Sequence, residues 1–431
     1  MEVSMARLDV KSKENRMAVV KPFPCVRPDK KYAACVAALP YDVYNRKEAK
    51  AAASANPKSF LNIDRPETQF PDELDMYDDR VYDKAKEMLE SWIADGTFVK
   101  DPLAAYYIYE LTMDGRKQTG IVACSSIDDY VNGVVKKHEN TREEKELDRI
   151  RHVDATDAQT GPIFLAYRSN AMINKVVDLK TGTEPLYDFT AEDGIRHRVW
   201  EIGNADSILT VEEAFAGIPA TYIADGHHRA ASAVKVGLKR REEHPDYTGN
   251  EPFNYFLSVL FPDDQLMIMP YNRVVKDLNG MTEETFLKRV EEAGFTVASM
   301  GTEGFAPVEK GTFGMYLCGQ WYCLTAAERL LTSDPVKGLD VSILQDHLLG
   351  PVLGIGDPRV DKRIDFIGGI RGLSELEKRC REDMTVAFSM VPTSIEELFS
   401  VADAGLLMPP KSTWFEPKLR SGLFIHLLSK R

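Results

Sequence analysis

Five consecutive residues carry the densest set of chemically useful side chains in the chain. They supply a carboxylate, a flexible backbone position, two imidazoles and a guanidinium, in the order Asp225, Gly226, His227, His228 and Arg229. A guanidinium has the planar geometry that suits phosphate or carboxylate, and glycine lets the backbone approach a ligand closely. Because so many polar groups are rarely needed to cap a helix, we interpret this stretch as an anion site. A capped helix with two packed histidines is the purely structural alternative.

The carboxylate is the unusual member of this set, because a carboxylate repels a phosphate. Asp225 is compatible with three roles: it can bind Mg²⁺, accept a proton from a substrate, or cap the helix. The sequence leaves these three roles open.

The flanking residues predict that this stretch joins a strand to a helix. Tyr222, Ile223 and Ala224 are typical of the end of a buried strand, and the Ala-rich run 230–236 indicates a helix. The N–H groups at a helix N-terminus have no partners within the helix and can hold an anion. The predicted turn is therefore well suited to bind phosphate.

A second strand-to-helix junction lies earlier in the chain. A short apolar strand at 133–135 is followed by charged residues and by a predicted helix at 142–151. At this junction Glu139 could act as a general base and the hydroxyl of Thr141 could hold a phosphate, with His138 beside them. Helix capping explains the same residues equally well. The helix charges are typical of a solvated surface, although the roles of its arginines, Arg149 and Arg151, stay open.

Two further polar groups follow predicted strands. Runs at 254–261 and 265–270 predict a hairpin whose exit places Arg273 at a strand end, where ligands of α/β folds commonly bind. A proline-rich loop at 408–418 carries Lys411, Ser412, Thr413 and Lys418. That loop is either an anion-binding lid or a rigid surface loop.

The size and charge of the chain limit the class of protein. It has 431 residues and a formal net charge of −13. Such an acidic balance argues against broad contact with nucleic acid or anionic membranes. No apolar run is long enough to span a bilayer, and residues 1–16 lack the apolar core of a signal peptide. We therefore predict a cytoplasmic protein, and the sequence leaves a homo-oligomer open.

Short apolar runs between helices predict an α+β or mixed α/β fold. Hairpins are expected at 104–126 and 186–202, and a short strand at 60–63. The alternating residues Arg196, His197 and Arg198 are expected to face solvent. We predict a flexible tail at 1–16, a phosphate-binding domain with insertions at 17–275, and a smaller C-terminal α/β domain at 276–431. No Walker motif, HExxH motif or nucleophile elbow is present, which excludes the commonest hydrolase readings.

Short motifs spread over nearly the whole chain resemble a bacterial and archaeal family known as domain of unknown function 1015. The family usually has His-Arg where this chain has Asn272 and Arg273. The matching pieces are Pro40–Val43, Asn56–Pro57 with Phe60, Lys137–Thr141, Ala224–Arg229, Met408–Thr413 and Pro417–Lys418.

The Asp-Gly-His-His-Arg turn is also similar to the phosphate-binding turn of the ParB and sulfiredoxin superfamily. That superfamily includes nucleotide switches, sulfiredoxins and free-serine kinases, in which a glutamate acts as base and the turn holds nucleotide phosphate. The resemblance implies a ParB/sulfiredoxin-like core with Glu139 as the base and His138 and Thr141 beside it. It implies a phosphate turn formed by Asp225, Gly226, His227, His228 and Arg229.

These observations predict a nucleotide-dependent phosphotransferase that uses ATP or ADP with Mg²⁺. Its acceptor would be a small hydroxylated metabolite, with L-serine the first choice, and Asp225 would bind the metal. Positioned cations and a base are what phosphoryl transfer requires. One alternative is a non-enzymatic nucleotide switch of the ParB type. Another is a phosphatase in which His227 or His228 attacks the phosphate.

Overall fold

The computed structural model of the protein describes residues 17–141 and 143–429. The predicted tail at 1–16 and the first residue of the predicted charged helix lie outside these ranges. None of the helices in the described ranges is long and apolar enough to cross a membrane.

Strands are distributed along the whole described chain and form sheets of very different size. Two large sheets contain most of them, and several pairs of two or three residues connect distant parts of the chain. The strands are β1 (Val20–Lys21), β2 (Val26–Pro28), β3 (Phe98–Lys100), β4 (Tyr106–Met113), β5 (Arg116–Ser126), β6 (Val135–Lys136), β7 (Ala158–Gln159), β8 (Ile163–Tyr167), β9 (Tyr187–Thr190), β10 (Arg196–Ile202), β11 (Thr221–Asp225), β12 (Tyr255–Pro262), β13 (Ile268–Met269), β14 (Tyr271–Val275), β15 (Phe295–Gly301), β16 (Thr312–Leu317), β17 (Gln320–Ala326), β18 (Ile364–Gly368), β19 (Val386–Ser389), β20 (Trp414–Phe415) and β21 (His426–Leu427).

Helices lie between the strands throughout, which confirms the predicted mixed α/β class. Several begin at a side-chain cap, as at Asn45, where a reciprocal pair with Glu48 forms a capping box. The helices are α1 (Ala33–Val36), α2 (Arg46–Ala55), α3 (Leu61–Asp64), α4 (Asp79–Ala94), α5 (Ile127–Val131), α6 (Glu143–Thr156), α7 (Ala171–Thr181), α8 (Ala205–Phe215), α9 (His227–Glu243), α10 (Glu283–Ala293), α11 (Asp340–Leu344), α12 (Gly372–Glu382) and α13 (Ile395–Asp403).

The larger sheet has nine strands in the order β6-β11-β8-β12-β5-β4-β10-β9, with β1 paired to β5. Strands β6 and β11 are parallel, and so are β8 and β12. Both faces are buried. On β4, Tyr106 and Ile108 belong to one apolar cluster, whereas Tyr107 and Tyr109 belong to another. A sheet covered on both faces explains why its strands are continuous apolar runs.

The second sheet has six strands, in the order β15-β17-β16-β19-β14-β18, and its paired strands are all antiparallel. The last part of the chain then pairs with strands that precede residue 276: β20 pairs with β13, and β21 pairs with β7. The predicted division at residue 275 stays a prediction.

The hairpins predicted from turn signals at 104–126 and 186–202 are confirmed as β4–β5 and β9–β10. At the first of these turns both Asp114 and Gly115 have positive φ, of 50° and 79°. This is the backbone geometry that tight hairpin turns require, and it explains why an Asp-Gly pair predicts the turn well.

The third predicted hairpin is wrong. Strand β12 lies between β5 and β8 inside the large sheet, and the run after it forms β13, which pairs with β20. Asn272 and Arg273 consequently lie inside β14, not at a strand exit, and Asn272 accepts a hydrogen bond from the N–H of Met390 at 3.0 Å. A strand that is apolar on both faces is buried best as a central strand.

Two local predictions are also wrong. The run 60–63 forms the single buried turn of α3 instead of a strand, because a short apolar run does not distinguish the two. His197 was expected to face solvent but is fully buried, with its Nδ1 2.8 Å from the hydroxyl of Tyr109. Its neighbour Arg198 forms an ion pair with Glu110.

Candidate functional site

The two motifs that the sequence singled out lie side by side. Strands β6 and β11 pair in parallel, with Val135 opposite Thr221 and Lys136 opposite Tyr222. Parallel strands end at the same edge of a sheet, so the residues that follow β6 meet the residues that follow β11. This pairing brings Glu139 to the turn at Gly226.

Two imidazoles and a carboxylate meet at this edge. The rings of His138 and His227 lie edge to face, with centroids 4.6 Å apart. Nδ1 of His227 is 3.8 Å from a carboxylate oxygen of Glu139, whose side chain is 46% exposed. Among the described residues, the buried Nε2 of His227 has no hydrogen-bond partner. The half-exposed Glu139 therefore lies next to the buried ring of His227.

Burial keeps both histidines uncharged. It is the largest cause that lowers the pKa of His138 to about 4, against a smaller opposing effect of Asp225. Burial also lowers the pKa of His227 well below its usual value, and the neighbouring His138 adds to this. At neutral pH these two rings are therefore uncharged.

The N-terminus of α9 presents its backbone to the same edge. Gly226 precedes the helix with φ of 95°, and no side chain caps the first turn. The guanidinium of Arg229 folds back over the glycine, where a Cβ would lie 3.2 Å from Cζ. Its Nη1 donates a hydrogen bond to the carbonyl of Pro162 at 2.7 Å. An uncapped helix N-terminus beside a fixed guanidinium is a suitable anion site.

Asp225 lies between two cations at the end of β11. Its carboxylate is 3.6 Å from Nη2 of Arg229 and 3.5 Å from Nζ of Lys418. Burial, the largest single effect, raises the pKa of Asp225, but the positive charges of Lys418 and Arg229 oppose it, and the pKa is lowered to about 2. The group is therefore ionised at neutral pH. Lys418 comes from the proline-rich loop at 408–418, and no local signal predicts that this loop reaches the turn.

Thr141 and His228 contact a neighbouring group of charges. The hydroxyl of Thr141 donates a hydrogen bond to Glu146 in α6, which also forms an ion pair with Lys235. His228 is close enough to Glu146 to lower its pKa, although burial acts in the opposite direction as the largest effect. The structure thus places Thr141 as a hydrogen-bond partner within the protein.

The remaining predicted residues lie in β14 and in the loop that precedes β20. Arg273 is 3% exposed and donates to the carbonyls of Tyr271 and Lys411. Ser412 is buried and its hydroxyl donates to the carbonyl of Pro409 at 2.6 Å. The loop with Lys411, Ser412 and Thr413 is therefore a fixed part of the fold. Phosphate binding by this group stays a prediction.

No cluster of three or more metal-ligating side chains occurs in the part of the chain that the structure describes. A Mg²⁺ ion carried by a nucleotide needs only one or two protein carboxylates. Asp225 and Glu139 both lie at the turn. These carboxylates fit such an ion if the metal replaces Arg229 or Lys418 beside Asp225.

A pocket that sequence reasoning did not find opens beside Arg229. It encloses about 440 Å³, counting the part open to solvent. Its polar walls include Tyr41, Asp64, Arg149 and Thr160. Of these, Tyr41 lies in a stretch that resembles the family motifs, and Arg149 is an arginine whose role the sequence leaves open.

Comparison with solved structures finds only distant similarity. A free serine kinase in complex with AMP is 14% identical, with a TM-score of 0.33 over 70% of this chain and 91% of that chain. The protein SbnI with a C-terminal truncation, from Staphylococcus aureus, is 14% identical, with a TM-score of 0.36 over 71% and 87%. A conserved hypothetical protein from Pyrococcus furiosus is 15% identical, with a TM-score of 0.32 over 72% and 95%. No curated protein matches the chain.

A family model gives the specific match. It covers residues 20–342, from β1 to α11, and its description is a protein of unknown function. The matched range contains both strand ends of the site, at Glu139 and Gly226, whereas Lys418 lies beyond it. The chain therefore belongs to the DUF1015 family.

Proposed function

We propose that the protein is a nucleotide-dependent phosphotransferase that acts on a hydroxyl group of a small metabolite. The observation that carries this proposal is the parallel pairing of β6 and β11. It puts a half-exposed carboxylate, Glu139, beside an uncapped helix N-terminus and the guanidinium of Arg229. An anion site beside a base is the minimum that phosphoryl transfer to a hydroxyl requires.

The turn at Gly226 would hold the transferred phosphoryl group. The backbone N–H groups at the N-terminus of α9, which no side chain caps, and the guanidinium of Arg229 would donate hydrogen bonds to its oxygens. Lys418 adds a second positive charge within 3.5 Å of Asp225. Arg229 is already held by its hydrogen bond to the carbonyl of Pro162, so its guanidinium is in place for the charge that develops during transfer.

Glu139 would take the proton from the acceptor hydroxyl. As the oxygen attacks phosphorus, its proton passes to the carboxylate, the new P–O bond forms, and the bond to the leaving nucleotide phosphate breaks with its electron pair. Nδ1 of His227, a buried and uncharged ring, lies 3.8 Å from an oxygen of this carboxylate. A Mg²⁺ ion at Asp225 would supply positive charge to the nucleotide phosphates.

L-serine is the first acceptor to test, because the Asp-Gly-His-His-Arg turn resembles that of free-serine kinases. The purified protein would be incubated with ATP or ADP, Mg²⁺ and a panel of hydroxy amino acids, and phosphate transfer followed by mass spectrometry. We expect a phosphorylated acceptor whose amount depends on enzyme and nucleotide.

Other outcomes select the other functions that the same residues could serve. Nucleotide binding without turnover would favour a switch of the ParB type. Phosphate released to water at the same rate with and without an acceptor would favour a phosphatase. Absence of nucleotide binding would contradict the proposal.

A further inference from the structure

The pocket beside Arg229 lies on the opposite flank of the turn from Glu139. Strand β11 is the neighbour of β6 on one side and of β8 on the other. His227 contacts the β6 side, through His138 and Glu139. Arg229 contacts the β8 side, through the carbonyl of Pro162, and Arg229 also lines the pocket. The base and the pocket therefore flank the proposed phosphoryl site from two sides.

The in-line geometry of phosphoryl transfer matches this arrangement of base and pocket. The attacking and leaving oxygens lie roughly in line through phosphorus, on opposite sides of the transferred group. If the acceptor oxygen approaches from Glu139, the leaving oxygen points away from Glu139. The space available on that side is the pocket.

The charges of the pocket suit a leaving phosphate. Arg149 is buried, and its guanidinium lies 4.1 Å from the centroid of the Tyr41 ring. Its Nε donates a hydrogen bond to Asp148, and its Nη2 lies 2.8 Å from the same carboxylate oxygen. Together with Arg229, this gives the pocket two guanidiniums that are held in place, a geometry that favours phosphate oxygens.

The lining residues also include a carboxylate, Asp64, and a hydroxyl, Thr160. Asp64 is 3% exposed and accepts a hydrogen bond from Thr160 at 3.0 Å. A carboxylate has about four acceptor positions, so Asp64 retains capacity for further donors. Sugar hydroxyls are donors of this kind, and an acidic residue that binds a ribose hydroxyl is a recurring feature of nucleotide sites.

We infer that this pocket binds the leaving part of the phosphoryl donor, a nucleoside phosphate. Arg149 and Arg229 contact its phosphate, and Asp64 accepts a hydrogen bond from its ribose. This inference rests on the proposed function and adds which side of the turn takes the donor and which takes the acceptor. The acceptor then occupies the half-exposed side at Glu139.

Binding of AMP, the smallest such leaving group, tests the assignment by isothermal titration calorimetry. Arg149→Gln removes one of the two positive charges that line the pocket, and we expect AMP affinity to fall about tenfold or more. Arg240→Gln is the matched control, because Arg240 also forms an ion pair with an aspartate across α6 and α9 but does not line the pocket. It should change AMP affinity by less than about twofold.

The ribose contact has its own test. Wild-type protein should bind AMP more tightly than 2′-deoxy-AMP, and Asp64→Asn should reduce that preference. Gly161→Ala gives a variant with no change of charge. A Cβ there would lie 3.2 Å from Oγ of Ser421 and 3.5 Å from Nη1 of Arg229, which narrows the pocket. It should also weaken AMP binding, with circular dichroism confirming that each variant is folded.

Two results would overturn the inference while leaving the proposed function standing. In the first, wild-type protein transfers phosphate and Arg149→Gln and Gly161→Ala bind AMP as tightly as wild type. In the second, these variants keep their AMP affinity but show a higher KM for the acceptor, which would place the acceptor in the pocket. Failure of the proposed function itself would appear differently, as wild-type protein that transfers no phosphate.

Discussion

Individual charges at the α9 turn are set by their surroundings and not by residue type alone. Burial removes the charge of His138 and His227, whereas the same neighbourhood keeps Asp225 ionised because Lys418 and Arg229 lie within 4 Å of it. The turn therefore combines neutral rings on one flank with an ordered set of cations on the other. Such a division suits a site in which one flank accepts a proton and the other binds phosphate.

Replacing Glu139 by Gln should separate catalysis from binding. We expect phosphate transfer to fall by a factor of about 10² to 10⁴, because a positioned general base contributes this much. Nucleotide affinity should stay nearly unchanged, since the donor is held by the turn. Glu144→Gln, at an exposed position of α6, is the control. Loss of transfer and nucleotide affinity together would assign Glu139 a structural role through His227.

Stability should depend on pH through His138. Its pKa in the folded protein is about 4, below the usual value of 6.5, so the unfolded chain binds the proton more tightly between these values. The stability from the neutral ring is present above pH 6.5 and is lost as the pH falls toward 4, by about 3 kcal/mol for this group. Urea unfolding across this range should show a smaller decrease in His138→Gln. Equal slopes in both proteins would contradict the assignment.

At the scale of elements, the site depends on one strand pairing and one helix start. The pair β6–β11 sets the distance between the two motifs, and Gly226 sets the direction in which α9 leaves the sheet. Each motif was predicted from local signals, and the structure confirms that each lies at a strand end. Their pairing was not predictable, because two short strands far apart in sequence carry no local signal for their partners.

The turn at Gly226 should not tolerate a side chain. Gly226→Ala would force a residue with a Cβ to adopt φ near 95°, which costs about 1–2 kcal/mol, and would press on Arg229. We expect a lower free energy of unfolding together with weaker nucleotide binding. Gly96→Ala is the matched control, because φ is 77° there and nothing lies within 4 Å of the added Cβ. It should lower stability but leave nucleotide binding unchanged; a loss of binding in both would contradict the role of Arg229.

At the scale of the whole molecule, the end of the chain joins the two halves. The N–H of Met408 donates to the carbonyl of His138 at 2.8 Å. Lys418 reaches Asp225, and β21 pairs with β7. Phe424 is fully buried against the rings of Tyr107 and Tyr109 in the large sheet. The site thus combines residues from the middle of the chain with Lys418 from its last segment.

Truncating Phe424 tests this closure. Phe424→Ala should lower the free energy of unfolding by about 3–5 kcal/mol, because it leaves a cavity between the terminal segment and the sheet. Urea denaturation measures the change. Leu406→Ala, at a position that is 41% exposed, should change stability by less than about 0.5 kcal/mol. Equal, small effects for both would show that the terminal segment contributes little to the fold.

Short stretches of the sequence are sufficient to predict the local structure around the candidate site. The strand, glycine turn and Ala-rich helix around Gly226, the tight hairpin at Asp114 and Gly115, and the mixed α/β class all follow from signals within a few residues of one another. Three features of the site appear only in the folded structure: β6 pairs with β11, Lys418 contacts Asp225, and Arg149 and Asp64 line a pocket beside Arg229. These contacts join residues that are far apart in the chain. They depend on which apolar faces are buried together, and local propensity does not specify which faces pair.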